Sequence, residues 1–185
     1  YNFEINHKIW VRILVEVFMP ILEIITIGTE LLLGEIIDTN STYIARTLRD
    51  HGIDIFRITT IGDNTARIAS AIREALERAD IIITTGGLGP TVDDPTRQAV
   101  ADATKRKLVF QPDLWNEIVE RFQDYGRKPT ENNRRQAFIP TGAIAIKNPV
   151  GTAPSFIVEE SKACVVSLPG VPREMEFLLH ESIIP

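Results

Sequence analysis

The chain is poor in the residues that mark metal centres and disulfide scaffolds. One cysteine, Cys164, among 185 residues cannot form an intramolecular bridge, which favours a reducing compartment. It lies in the apolar run Ala163-Cys164-Val165-Val166 and reads as a small buried hydrophobe rather than a nucleophile. Three histidines, His7, His51 and His180, show no ligand spacing, so a zinc site is not expected. Long apolar runs are lacking too. The longest is cut by Glu16, Pro20 and Glu23 and has no small-residue cleavage site, which excludes a spanning helix and a secretory signal from the reading. Positive charge is not in excess: 20 Lys and Arg face 25 Asp and Glu, a net charge of −5. A dedicated nucleic-acid or anionic-membrane binder would be basic, so neither partner is expected. Internal repeats and low-complexity segments are absent from the sequence as well. What is left is a soluble, cytoplasmic protein acting on a small molecule.

What is present is an alternation of apolar runs. Ile21–Ile27 and Asp80–Thr85 are almost continuously apolar, as strands buried on both faces must be, and Ile55–Ile61 reads as a third strand. Between them, Asn40–Asp50 and Asn64–Ala79 carry apolar residues three and four apart and read as helices. Helices are also expected from Asp94-Pro95, from Pro112, over Glu131–Phe138 and over Pro172–Ile184. Two more strands are expected near Ser155–Val158 and Ala163–Ser167. This pattern predicts a three-layer α/β/α domain with a mostly parallel sheet. Residues 1–18 lack glycine, proline and any clean period. They read as a non-native or upstream extension before Met19, leaving 19–185 as one domain.

In parallel α/β sheets, ligands bind beyond the carboxyl ends of the strands, so the residues that follow each strand carry the functional information. Glycine follows all four: Gly28-Thr29-Glu30, Gly62-Asp63-Asn64, Gly86-Gly87-Leu88-Gly89-Pro90-Thr91, and Pro169-Gly170. Glycine-rich turns that feed helix starts offer backbone N–H groups to a phosphate. In the third loop, Asp93 and Asp94 follow the glycines directly, and carboxylates beside a phosphate cradle call for a cation such as Mg²⁺. Asp94 before Pro95 also suits a helix N-cap, a role that explains neither Asp93 nor three glycines. Glu30, placed straight after a buried strand, reads as a charge that needs a partner. The basic stretch from Arg127 to Gln136 is open to two readings, a phosphate clamp or a solvated face. Asn148–Pro154 is a stiff loop without a titratable group, open to two readings, a wall of the pocket or a simple turn.

GTELLLGEIIDTNS at 28–41, TTGGLGPTVDDPTRQAVA at 84–101, NNRRQAFIPTGA at 132–143, NPVGTAPSF at 148–156 and LPGVPREM at 168–175 resemble the N-terminal domain of CinA-type competence/damage-inducible proteins. That domain is similar to the MoaB/MogA and gephyrin-type molybdopterin-binding proteins. The resemblance implies their fold, with a small β element near the sheet edge. It also implies divalent-metal-dependent hydrolysis of ADP-ribose to AMP and ribose 5-phosphate, or, as in MogA-type relatives, adenylate transfer to molybdopterin. The functional aspartates of the MogA-type pattern fall on Asp63 and Asp94, while the doubled aspartate sides with CinA. The nicotinamide mononucleotide deamidase domain of full-length CinA proteins is not carried over.

The expected site follows. Asp94, Asp63 and Glu30 are the candidate catalytic groups. Asp93 and Asp94 would hold the divalent cation, with a monovalent ion as an optional companion. Gly28, Thr29, Asn40, Thr85, Gly86, Gly87, Gly89, Pro90, Thr91, Pro169 and Gly170 would bind phosphate and substrate. A homo-oligomer, dimer or trimer, is expected. The alternatives are molybdopterin binding or adenylation, and a non-catalytic oligomerisation domain.

Overall fold

A computed structural model describes residues 20–184. The expected extension 1–18 lies outside the described residues. In chain order the elements are β1 (Leu22–Ile27), α1 (Thr29–Leu32), α2 (Thr39–Asp50), β2 (Ile55–Ile61), α3 (Thr65–Leu76), β3 (Ile81–Thr85), α4 (Thr96–Ala103), β4 (Leu108–Phe110) and α5 (Pro112–Asp124). A 3₁₀ helix, Glu131–Ala137, precedes β5 (Phe138–Pro140), β6 (Ile144–Ile146), β7 (Ser155–Glu159) and β8 (Cys164–Leu168). The described chain closes with α6 (Pro172–Leu178) and a π-helical turn, Leu179–Ile183.

Six strands form the main sheet in the order β2-β1-β3-β8-β7-β6, and β4 and β5 make a separate antiparallel pair. The pairings β1–β2, β1–β3 and β3–β8 are parallel, whereas β7 runs antiparallel to both β8 and β6. All side chains of β1 and β3 are buried, as their unbroken apolar runs require. Period-two alternation sends them to opposite faces. Ile25, Ile27 and Ile82 pack with Ile68 and Ile72 of α3, Val100 of α4 and Ile118 of α5. Leu22, Ile24, Ile81 and Ile83 pack with Ile44 and Leu48 of α2 and with Met175 and Leu178 of α6. The three-layer α/β/α architecture with a mostly parallel sheet follows directly. Glu23, on the first face and 1% exposed, is neutralised by Arg78, whose Nη2 donates to Oε2 at 2.9 Å.

Several elements depart from the sequence reading. β4, β5 and β6 have three residues each; pairing defines them, because three residues are too few to carry a period. The expected helix Pro172–Ile184 gives way to π geometry after Leu178. The N–H of Ile184 donates to the Leu179 carbonyl, an i→i+5 bond that brings both side chains to the buried face. Among the described residues, no helix is long and apolar enough to cross a membrane.

Candidate functional site

The layering fixes where a ligand can sit. After β1 and β8 the chain leaves toward the α2/α6 face; after β2 and β3 it leaves toward the α3/α4 face. Adjacent strands whose helices depart to opposite sides open a crevice at their carboxyl ends. All four glycine loops meet there.

Side chains stitch the loops together. Thr29 and Asp63 exchange bonds: the Thr29 N–H donates to Asp63 Oδ2 at 2.8 Å, and the Asp63 N–H to Thr29 Oγ1 at 3.1 Å. Asn40 Nδ2, in the first turn of α2, donates to Thr85 Oγ1 at 3.0 Å and to the Gly170 carbonyl at 2.9 Å. Thr85 Oγ1 donates onward to the Pro169 carbonyl at 3.0 Å. Gly170 lies against Gly86 so closely that a Cβ there would stand 3.2 Å from the Gly86 Cα. Gly86 and Gly87 have φ of +103° and +62°. A side chain on Gly86 would collide with the Ile27 carbonyl, and one on Gly87 with Thr96 Oγ1. Gly28, Thr29, Asn40, Asp63, Thr85, Gly86, Gly87, Pro169 and Gly170 are therefore brought together by the fold.

The glycine loop is gripped from two sides. Buried Arg97 donates through Nη1 to the Leu88 carbonyl at 2.7 Å and through Nη2 to the Gly89 carbonyl. Burial pulls its pKa down to about 10, with Asp94 opposing and Arg135 adding to the fall; it stays charged at neutral pH. Asp94 closes the outer side. Its Oδ1 accepts the Gly89 N–H at 2.8 Å, and its Oδ2 accepts the Thr91 N–H at 2.7 Å and Thr91 Oγ1 at 2.6 Å. Leu88 is buried in the core between them.

This geometry revises three expectations. Asp94 is not the N-cap of the next helix. That position is Pro95, without a side-chain cap bond, and the first helical N–H, of Thr96, is already donated to the Gly87 carbonyl. Three donors within the loop claim the carboxylate instead. Glu30 is exposed in α1, so no buried charge demands a partner; its carboxylate folds back over Gly28, where an added Cβ would meet Oε1 at 2.8 Å. The backbone cradle is narrower than the whole Gly86–Thr91 loop. The Gly86 N–H is donated to Leu168, that of Gly89 to Asp94 and that of Thr91 likewise, whereas those of Gly87 and Leu88 are donated to no described residue. Pro90 closes the loop between them without an N–H to offer. Asn64, beside Asp63, does cap α3, accepting from the Arg67 N–H at 3.0 Å.

Cys164, expected to be buried, is half-buried at the start of β8. Burial first, then Glu159 and Asp80, push its pKa up to about 12. In the basic stretch, Arg134 stacks over Phe110 with 4.9 Å between the guanidinium and the ring centroid. That contact braces the small β4–β5 sheet rather than a phosphate.

Asn148 and Glu174 lie in motifs named from the sequence, but neither was given a role there. Glu174, in the first turn of α6, accepts from Asn148 Nδ2 at 2.6 Å. Burial raises its pKa, and hydrogen bonds from Asn148 and Ala153 hold part of the rise back. The signal was a glutamate in the first turn of the helix that follows the last strand-end glycine. A cavity of about 250 Å³ lies between α5 and the Asn148–Pro154 loop, and none of its lining residues belongs to the expected site.

Among the described residues, no group of three or more His, Cys, Asp or Glu is placed to hold a metal. A cage made by protein alone does not fit. Asp93 is exposed, so it suits the other common mode, in which Mg²⁺ is held by one carboxylate and by ligand phosphates.

A mostly parallel sheet of this order, with its crevice at the switch between β1 and β3, defines an α/β/α protein of the MoaB/MogA-like fold. The chain belongs to the family described as a probable molybdopterin binding domain, which it matches over residues 23–185. A Halothermothrix orenii protein bearing the competence-damage inducible name is 52% identical over 165 residues, 89% of this chain and 40% of that one. A CinA-like protein of Kosmotoga olearia is 45% identical over 163 residues, with 88% and 40% covered. The chain thus spans about 40% of the length of the curated relatives it matches. The crystal structure of CinA from Thermoplasma acidophilum, a protein of unknown function, superposes with a TM-score of 0.80 at 37% identity, covering 86% of this chain and 94% of that one. MoaB from Thermus thermophilus shares the fold at 20% identity, with a TM-score of 0.61 and 90% and 91% coverage.

Proposed function

We propose that the crevice binds a nucleotide through its phosphates and that the reaction is hydrolysis of the pyrophosphate link of ADP-ribose or a similar molecule. The observation that carries this reading is the pair of uncommitted N–H groups on Gly87 and Leu88. They lie in a loop where Arg97 and Asp94 have claimed the neighbouring polar groups. Consecutive N–H donors that follow the positive-φ turn at Gly86 and Gly87 suit an anion. Asn40 Oδ1 adds to it: buried and without a hydrogen-bond partner, it sits on the residue that joins α2 to both adjacent loops.

Asp93 would hold a divalent cation together with the ligand's phosphates, and the ion would supply neutralisation of charge on the bridging phosphate. Asp94 keeps the donors fixed. Asp63, exposed and held through Oδ2 by the Thr29 N–H, would accept from a ribose hydroxyl or orient a water. Glu30 lies over Gly28 at the same strand end. Incubation with ADP-ribose and Mg²⁺ or Mn²⁺, followed by chromatography, should yield AMP and ribose 5-phosphate. Intact ADP-ribose under every divalent ion would sink this reading.

The family's description favours one rival, molybdopterin binding or adenylation. Tight pterin binding without turnover of ADP-ribose would select it. A homo-oligomer is part of either proposal and is checked by sedimentation.

A further inference from the structure

β7 starts at Ser155 and runs antiparallel to β8, with Phe156 opposite Ser167. The residues just before Ser155 therefore lie beside Pro169 and Gly170, at the end of the sheet where the crevice opens. That segment, Asn148–Pro154, has no ionisable side chain, and its two prolines have no N–H. It offers an ionised phosphate little, and an uncharged group a suitable surface.

Glu174, in α6, holds the segment from another element. Glu174 Oε2 accepts from Asn148 Nδ2 at 2.6 Å, and the Glu174 carboxylate also accepts the N–H of Ala153. The Gly151 backbone lies so near the same carboxylate that an added Cβ would overlap it. Asn148 completes the turn from within, donating to the Ala153 carbonyl at 2.9 Å and accepting from the Val150 N–H at 3.2 Å. Behind the segment is the cavity shared with Ile118 and Arg121 of α5. Empty volume there means the segment has room to shift if released. A half-buried carboxylate is costly unless its hydrogen bonds are made, and the bonds from Asn148 and Ala153 both come from this loop.

We propose that Glu174 is a positioning residue of the crevice. It fastens the Asn148–Pro154 loop beside Gly170, so that the loop's uncharged surface receives the nucleoside half of the ligand while Gly87 and Leu88 take the phosphates. This rests on the nucleotide reading above and assigns its two halves to different walls.

The test is calorimetric binding of two probes, AMP and inorganic pyrophosphate, to the full chain with Mg²⁺ present. Glu174→Ala and Asn148→Ala cut the fastening from opposite sides. Each should weaken AMP about tenfold, the equivalent of one or two lost hydrogen bonds, and leave pyrophosphate within about twofold. Glu174→Gln, whose amide oxygen still accepts from Asn148, should keep AMP within about threefold of wild type. Thermal melting of each variant verifies that the fold persists. Unchanged AMP affinity in Glu174→Ala would overturn the assignment. So would an equal loss of both probes, or a Gln variant as weak as the Ala variant, which would make charge rather than positioning the point. Wild-type protein that binds neither probe would instead overturn the nucleotide reading itself.

Discussion

The loops after β3 and β8 and the loops after β1 and β2 face the same crevice but are built differently. In the first pair, Thr84, Thr85, Thr96, Arg97 and Ser167 are all buried, and their polar atoms are bonded to one another or to loop backbone. In the second pair, the Thr29–Asp63 exchange lies at the surface, and the residues that follow expose apolar side chains. Leu33 is 67% and Ile37 is 85% exposed. One half of the crevice is thus set before any ligand arrives, as donors aimed at a phosphate must be. The other half has few buried contacts and belongs to the low-stability end of the molecule, from which closing elements are drawn.

The strongest way to break this contrast is to remove the inner grip. Arg97→Met should leave the Leu88 and Gly89 carbonyls unpaired and cost about 3 kcal/mol or more, read as a fall in the urea midpoint at unchanged slope. Gly87→Val comes next. Its side chain would collide with Thr96 Oγ1 and stand 3.2 Å from Pro95 Cδ at a φ of +62°. About 2 kcal/mol of stability should be lost along with phosphate binding; a variant that keeps both would show the loop is softer than described. Asp94→Asn follows at about 1 kcal/mol. A carboxylate accepts all three loop donors, whereas an amide turns an NH₂ toward part of them. If Asp94 were a simple N-cap, asparagine would replace it at no cost, so chemical denaturation separates the two roles.

Two smaller effects sharpen the comparison. Burial raises the Glu174 pKa above the ordinary 4.5, so the folded state binds this proton more tightly than the unfolded state. Its contribution to stability is therefore fully present below the ordinary value and is lost as pH rises through the raised one. The wild-type minus Glu174→Gln difference in unfolding free energy should slope downward across that window; a flat difference would contradict the burial. Thr29→Ala is expected to do least, less than about 0.5 kcal/mol, since its bonds with Asp63 are exposed. It should nevertheless weaken nucleotide binding if the looser half closes on the ligand, and equilibrium titration tells.

The sequence made the layers legible because burial on both faces writes itself as unbroken runs, as in Ile24-Ile25 and Ile81-Ile82-Ile83, while Ile68, Ile72 and Ala75 mark a helix by their spacing. The glycines were legible because each answers a local need. What stayed hidden is pairwise. Asp94 looks like a cap until Gly89 and Thr91 are seen to claim it, and Arg97 looks like a helix surface residue until the loop carbonyls fold over it. Glu174 and Asn148 lie 26 positions apart and meet only because β7 turns back along β8. Spacing reports what a residue does to its neighbours in sequence, and these residues act across the fold.

The bond from Thr84 Oγ1 to Ser167 Oγ joins β3 to β8 across 83 positions. During synthesis, β1, β2 and β3 can pair locally long before β8 leaves the ribosome, so the looser half of the crevice exists first. The preset half waits for the last strand, and loop closure over such a separation is slow compared with local pairing. The capacity to bind a phosphate should therefore appear as a late kinetic phase in refolding, after most of the secondary structure has formed. A ligand present from the start would then act on the final step alone, trapping the docked strand without hastening the sheet that precedes it.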